Sequence, residues 1–136
     1  MNPILRNILA TIAGLVLGSV VNMAIISVSG SIIPPPQGAD VTTLEGLKAS
    51  IHLFKPINFL MPFLAHALGT LTGAGIAAKL ATGRRAIPAY VVGAFFLAGG
   101  IANAFMLPAP AWFLFVDLGL AYIPAAWLGL KITSGK

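Results

Sequence analysis

Four side chains carry chemistry in otherwise apolar surroundings: Asn22, His66, Asn103 and Asp117. His66 and Asp117 are the ionisable residues that fall inside long apolar runs, where an unpaired charge is costly and marks a functional site by default. If the two meet, the carboxylate favours the protonated imidazole, and the pair can exchange a proton near neutral pH. Thr70 follows His66 by four positions. It shares a helical face with His66, although a threonine hydroxyl at this spacing often bonds its own backbone. These five residues form the expected ligand or ion pathway. The competing reading makes them interhelical hydrogen bonds worth about 0.6 kcal/mol each.

Other chemistry finds less in the chain. His66 with Met23, Met61 or Met106 is conceivable as a soft-cation site, but the methionines lack ligand spacing and suit packing, so no metal is assigned. There is no cysteine, which removes disulfides, thiolate catalysis and Cys-ligated metals. No nucleophile, base and orienting acid fall into a recognisable motif, and no phosphate-cradling loop is present. Gly69 to Gly75 is glycine-rich, but it lies within an apolar run and reads as helix packing. The expectation is a non-enzyme without a cofactor.

The elements that must position these residues follow from the distribution of charge. Hydrophobic residues make up 58% of the chain and charged residues 8%, against about 25% charged in soluble domains. The chain reads as an all-α integral membrane protein, a four-transmembrane-helix bundle forming one domain over residues 1–136. The spans are expected at residues 8–29, 57–79, 86–107 and 112–130. The first apolar run is longer than the about 7–15 residues of a signal peptide, so it is taken as a span. Between residues 86 and 116 no charge occurs, but Pro108 and Pro110 break the run into two. Residues 118–130 are too few to cross alone, which draws Asp117 into the fourth span or to its edge. Pro124 is expected to kink that span.

Small residues set the expected packing. Ala65, Gly69, Gly73 and Ala77 recur every four positions on the second span, and Ala10, Gly14, Gly18 and Asn22 do so on the first. Such stripes let helix backbones approach closely. Gly18 and Asn22 also resemble Gly99 and Asn103 in spacing, a faint internal repeat of the kind from which transporters are built.

The long first connection begins with Pro34, Pro35 and Pro36, which favour an extended segment. Thr42 and Glu45 have capping-box spacing and start a short helix expected over residues 43–54. Leu44, Leu47, Ile51 and Phe54 fall on one face of it, and Glu45, Lys48, His52 and Lys55 on another. This is the pattern of an amphipathic interfacial helix, here in the first external loop, where it could act as a lid or simply cover apolar surface. Pro56 suits the first turn of the following helix.

Orientation follows from the basic residues. Arg6, Lys79, Arg84, Arg85, Lys131 and Lys136 share one side, with Lys48 and Lys55 on the other. The excess places both termini in the cytoplasm of a plasma (inner) membrane. Trp112 and Trp127 then fall near opposite interfaces and Tyr90 near the cytoplasmic one. The four polar residues all fall in the outer half, His66 somewhat deeper than the rest.

The expected function is that of a small transport or channel protein with an outer-half polar site. The alternative is a structural or accessory subunit that binds partner helices through small-residue faces. Expected partners are the lipid bilayer, a second copy or a partner membrane subunit, and a small solute or ion. Nucleic acid is not expected, because most of the eight Lys and Arg flank apolar runs instead of forming a basic face. A cysteine introduced at Gln37 should react with an impermeant thiol reagent from outside, and one at Gly83 only from the cytoplasm; reversed labelling would invert the topology.

Overall fold

A computed structural model describes residues 1–134, which are all-helical with no strand among them. Lys136, counted above with the basic residues of the terminal side, lies outside the described residues. The helices are α1 (Pro3–Ile32), α2 (Leu44–Ser50), α3 (Leu60–Leu80), α4 (Ala86–Met106), α5 (Ala111–Leu120) and α6 (Ile123–Thr133). Four segments are long and apolar enough to cross a membrane: Pro3–Ile32, Pro56–Leu80, Ala86–Met106 and Ala111–Thr133.

Local chemistry explains where these segments begin and end. Helix α1 starts several residues before the apolar run, because the Asn2 side chain accepts the Ile4 amide at 2.8 Å and Pro3 has its φ preset. It ends at Ile32 and is capped by the extended Ile33, directly before the three prolines. The last segment is divided at Ala121 and Tyr122 into α5 and α6, with Pro124 in the first turn of α6. Proline has no amide to donate to the carbonyl four residues back, and its ring crowds that carbonyl. The helix therefore interrupts just before it.

The loop helix differs in detail from its expected form. It is an α-helix over Leu44–Ser50 that tightens to a 3₁₀ turn at Ile51–Leu53, and a second 3₁₀ turn at Pro56–Phe59 leads into α3. Its N-cap is Thr43, whose hydroxyl accepts the Gly46 amide at 3.0 Å. Thr42 is instead drawn to Asp40, which accepts its amide at 3.0 Å and its hydroxyl at 2.6 Å. The Thr42 hydroxyl, and then its amide, holds the Asp40 carboxyl below its ordinary range. A depressed carboxylate steadies this turn above its ordinary pKa and loses that contribution as pH falls through the lowered one.

Helix α3 is the centre of the packing. Its buried residues Ala65, Gly69, Gly73 and Ala77 meet the buried Ala10, Gly14 and Gly18 of α1. A Cβ added at Gly18 would lie 2.6 Å from the Gly69 carbonyl oxygen, and one at Gly73 would lie 2.6 Å from the Gly14 oxygen. Backbone meets backbone there, which only glycine allows. The two helices run antiparallel, so the register that pairs Gly14 with Gly73 and Gly18 with Gly69 brings Asn22 beside Gly69.

A different face of α3 meets α6. Gly129 stands against the Leu71 carbonyl, and Gly75 against the Gly129 carbonyl. Helix α4 fills the remaining side with Ala89 and Val92, which join Ala74, Ala77, Ala78 and Ala126 in one buried cluster. At the terminal end, Arg6 donates to the Leu80 carbonyl at 2.8 Å. Asn7 and Thr82 exchange hydrogen bonds of 3.0 and 2.8 Å nearby. At the α2 end, Ile51, Phe59 and Phe113 form a second buried cluster, with Trp112 edge-on to Phe59.

Gly73→Leu should destabilise the protein by more than the about 1–3 kcal/mol typical of overpacking, because the new side chain meets the Gly14 backbone and not a movable side chain. Gly119→Ala, where an added Cβ meets nothing within 4 Å, should leave thermal unfolding in detergent unchanged. Equal unfolding temperatures for the two variants would refute the close packing of α1 on α3.

Candidate functional site

His66 lies on α3 one turn beyond the glycine contact, and Asp117 lies on α5, held there by the short half-helix before the break. Their side chains meet, with His66 Nδ1 2.8 Å from Asp117 Oδ1. The Asp117 side chain is 7% exposed and that of His66 20%. With Asp117 ionised, the geometry requires a proton on Nδ1, whether the ring is neutral or charged. Tyr122 donates its hydroxyl to the other carboxylate oxygen at 3.3 Å. Its ring also stacks on the imidazole, with centroids 5.8 Å apart and planes 24° from parallel.

Tyr122 is the residue that sequence reasoning missed. In an unbroken helix, residues five apart point about 140° away from one another, so Tyr122 would not reach Asp117. The break at Ala121 and Tyr122 turns it back. Gly100 on α4 makes room, since an added Cβ there would lie 2.6 Å from the tyrosine hydroxyl. The usable signal was Pro124, which places an interruption just after the only acidic residue in the segment.

Two adjoining cavities meet at this cluster. The deeper one, of about 260 Å³, is lined among others by Ser19, Asn22, His66, Thr70, Asn103 and Tyr122. The wider one, of about 500 Å³, reaches Leu47, Ile51 and Phe54 of the loop and is also lined by Asn22, His66, Asn103 and Asp117. The structure thus brings the four polar residues to one wall, one from each segment long enough to cross a membrane. Thr70 stands apart in its bonding. Its hydroxyl donates to the His66 carbonyl at 2.7 Å, within its own helix, while its side chain lines the deeper cavity.

Asn22 and Asn103 have no side-chain hydrogen bond within the described residues, yet no buried polar side-chain atom there lacks a partner. Both amides therefore open onto the cavities. The apparent repeat of glycine and asparagine is only half realised. Asn22 and Asn103 share the cavity wall, but Gly18 is pressed against Gly69 whereas a Cβ on Gly99 would meet nothing.

The methionines do not gather around His66. Met61 lines the wider cavity, while Met23 and Met106 are exposed on the outside of the bundle. Among the described residues no three His, Cys, Asp or Glu side chains group together. Comparison with protein-family models, curated proteins and solved structures found no match.

The arrangement can hold a proton between imidazole and carboxylate and present open amides beside it. His66→Leu should cost about 3–5 kcal/mol, because it leaves a buried carboxylate with only the tyrosine hydroxyl. His66→Leu combined with Asp117→Leu should recover much of that loss, since removing both partners removes the uncompensated charge. Unfolding of the two variants measures the difference; additive losses would mean that the pair does not interact.

Proposed function

We propose that this chain is a small multi-pass membrane transport or channel protein whose solute or ion passes through the polar site between its helices. The observation that supports this is the convergence of Asn22, His66, Asn103 and Asp117, one from each long segment, on a single cavity wall. Side chains that served only to fix packing would satisfy one another. Two of these instead leave their amides facing open volume.

The four long segments span the plasma (inner) membrane in this reading, with the basic residues near both termini on the cytoplasmic side. The many exposed apolar side chains of α1, from Ile4 to Met23, then face lipid. The loop helix lies at the outer interface, with Leu47, Ile51 and Phe54 turned to the cavity and Glu45 and His52 exposed. From that position it covers the site as a lid. The site carries no enzymatic role in this reading, which rests on the lack of a recognisable catalytic motif in the sequence.

The accessory-subunit reading draws less support. The glycines it would offer to a partner helix, Gly14, Gly18, Gly69 and Gly73, are spent against one another inside this chain. Assembly into a homo-oligomer remains part of the proposal and is read from the mass of the protein in detergent.

Transport requires that one site be reachable from both faces of the membrane at different times. The chain contains no cysteine, so Asn103→Cys can be followed without background. It should react with an impermeant thiol reagent added to the outer face of sealed vesicles and, in inverted vesicles, to the inner face. Reaction from a single face would rule out transport and leave a one-sided binding site.

A further inference from the structure

The wall of the wider cavity is chemically lopsided. Its ionisable groups are the Asp117 carboxylate and the His66 ring, beside the open amides of Asn22 and Asn103; Ser27, Ser29 and Asn58 also line it but are hydrogen-bonded to backbone, and no Lys or Arg lines either cavity. Of the basic residues nearest in the chain, Lys48, His52 and Lys55 lie on the loop beside Leu47, Ile51 and Phe54 but do not line this volume. The groups facing His66 are therefore Asp117 from α5, Tyr122 from the break, and uncharged side chains from α1 and α4.

The charge of this site has two states. With His66 protonated the pair is neutral overall, and with His66 neutral the site carries the single negative charge of Asp117. In apolar surroundings the second state lacks compensation, which a cation supplies. An anion finds no fixed positive partner here. A small metal cation prefers about six oxygen ligands, so with one carboxylate and two open amides it would have to carry several of its waters into a wall that is mostly apolar. Most of the remaining wall is apolar and aromatic, with Ile26, Phe54, Phe113 and Leu114 around about 500 Å³, a volume that suits a drug-sized organic molecule. Aromatic faces also attract a cation of low hydration.

Building on the transport reading above, we propose that the site takes hydrophobic organic cations, each bound in exchange for the proton that His66 holds against Asp117. The exchange balances in charge. One cation enters, one proton leaves the imidazole for solvent, and Asp117 stays ionised throughout.

The probe is tetraphenylphosphonium, whose charge does not change with pH, added to the full chain in a non-ionic detergent. Binding should tighten as pH rises from 6 to 8, by up to about tenfold per pH unit, because each bound cation displaces one proton. In weakly buffered solution near the lower end, binding should release up to one proton per cation. Asp117→Asn should weaken binding by about tenfold or more, and His66→Gln should keep binding while flattening its pH dependence. The neutral triphenylphosphine oxide should show no pH dependence. Absence of tetraphenylphosphonium binding, or binding that is equally tight at pH 6 and 8 without proton release, would overturn the proposal. Proton release is read on the unaltered chain, so the test survives a variant that fails to fold. Protection of Asn103→Cys by tetraphenylphosphonium separates the two readings. Two-sided reactivity without protection defeats the cation assignment and spares transport, whereas one-sided reactivity with protection does the reverse.

Discussion

Everything in this bundle depends on how closely α1 can approach α3. At Gly14 and Gly73, and again at Gly18 and Gly69, there is no space for a Cβ, so the backbones themselves set the distance and the register. In a bilayer, lipid chains are as apolar as leucine, and helices associate through such close packing instead of through water exclusion. That single alignment carries Asn22 to the edge of Gly69, and His66 sits just beyond on the same helix. Helix α3 meanwhile offers its other faces to α4 and α6 through alanines and glycines, which leaves little room for bulky side chains near the axis.

The polar cluster arises where that tight packing stops. Past Gly69 and Gly100 the helices are lined by larger groups, and the volume between them widens toward the loop helix. Asp117 would be an expensive neighbour for this region on its own. His66 and Tyr122 each give it a hydrogen bond, and the tyrosine can do so only because the fourth segment is interrupted between α5 and α6. The break thus serves as a positioning device: it turns one side chain inward while leaving α6 free to continue along α3.

Much of this could be read from residue types. Charge-free runs separated by prolines and basic turns located the four helical segments that are long and apolar enough to cross a membrane. The four-residue recurrence of small side chains pointed to the face of α3 that meets α1. The depth of Asn22, His66, Asn103 and Asp117 along their segments suggested a shared site. Other features depended on three-dimensional relations that spacing does not encode. Thr42 and Thr43 are equally able to cap a helix, and Asp40 decides between them by binding the first. Tyr122 joins the site through a rotation that a continuous helical reading forbids. The cavities depend on which rotamers leave space, and no sequence pattern reports that.

The divided fourth segment also ranks the parts of the molecule by the ease with which they open locally. Helix α6 is fixed to α3 by backbone contact at Gly129 and by Ala126 in the central cluster, so releasing it means disrupting the core. Helix α5 is held at three places: its covalent link at Ala121, the aromatic patch at Phe113, and the hydrogen bonds of Asp117. Segments with so few buried contacts lie at the low end of the range of local unfolding free energies. Removing one proton from His66 withdraws part of one of those three attachments. The chemical state of a single imidazole is thereby coupled to how often a ten-residue half-helix leaves its seat.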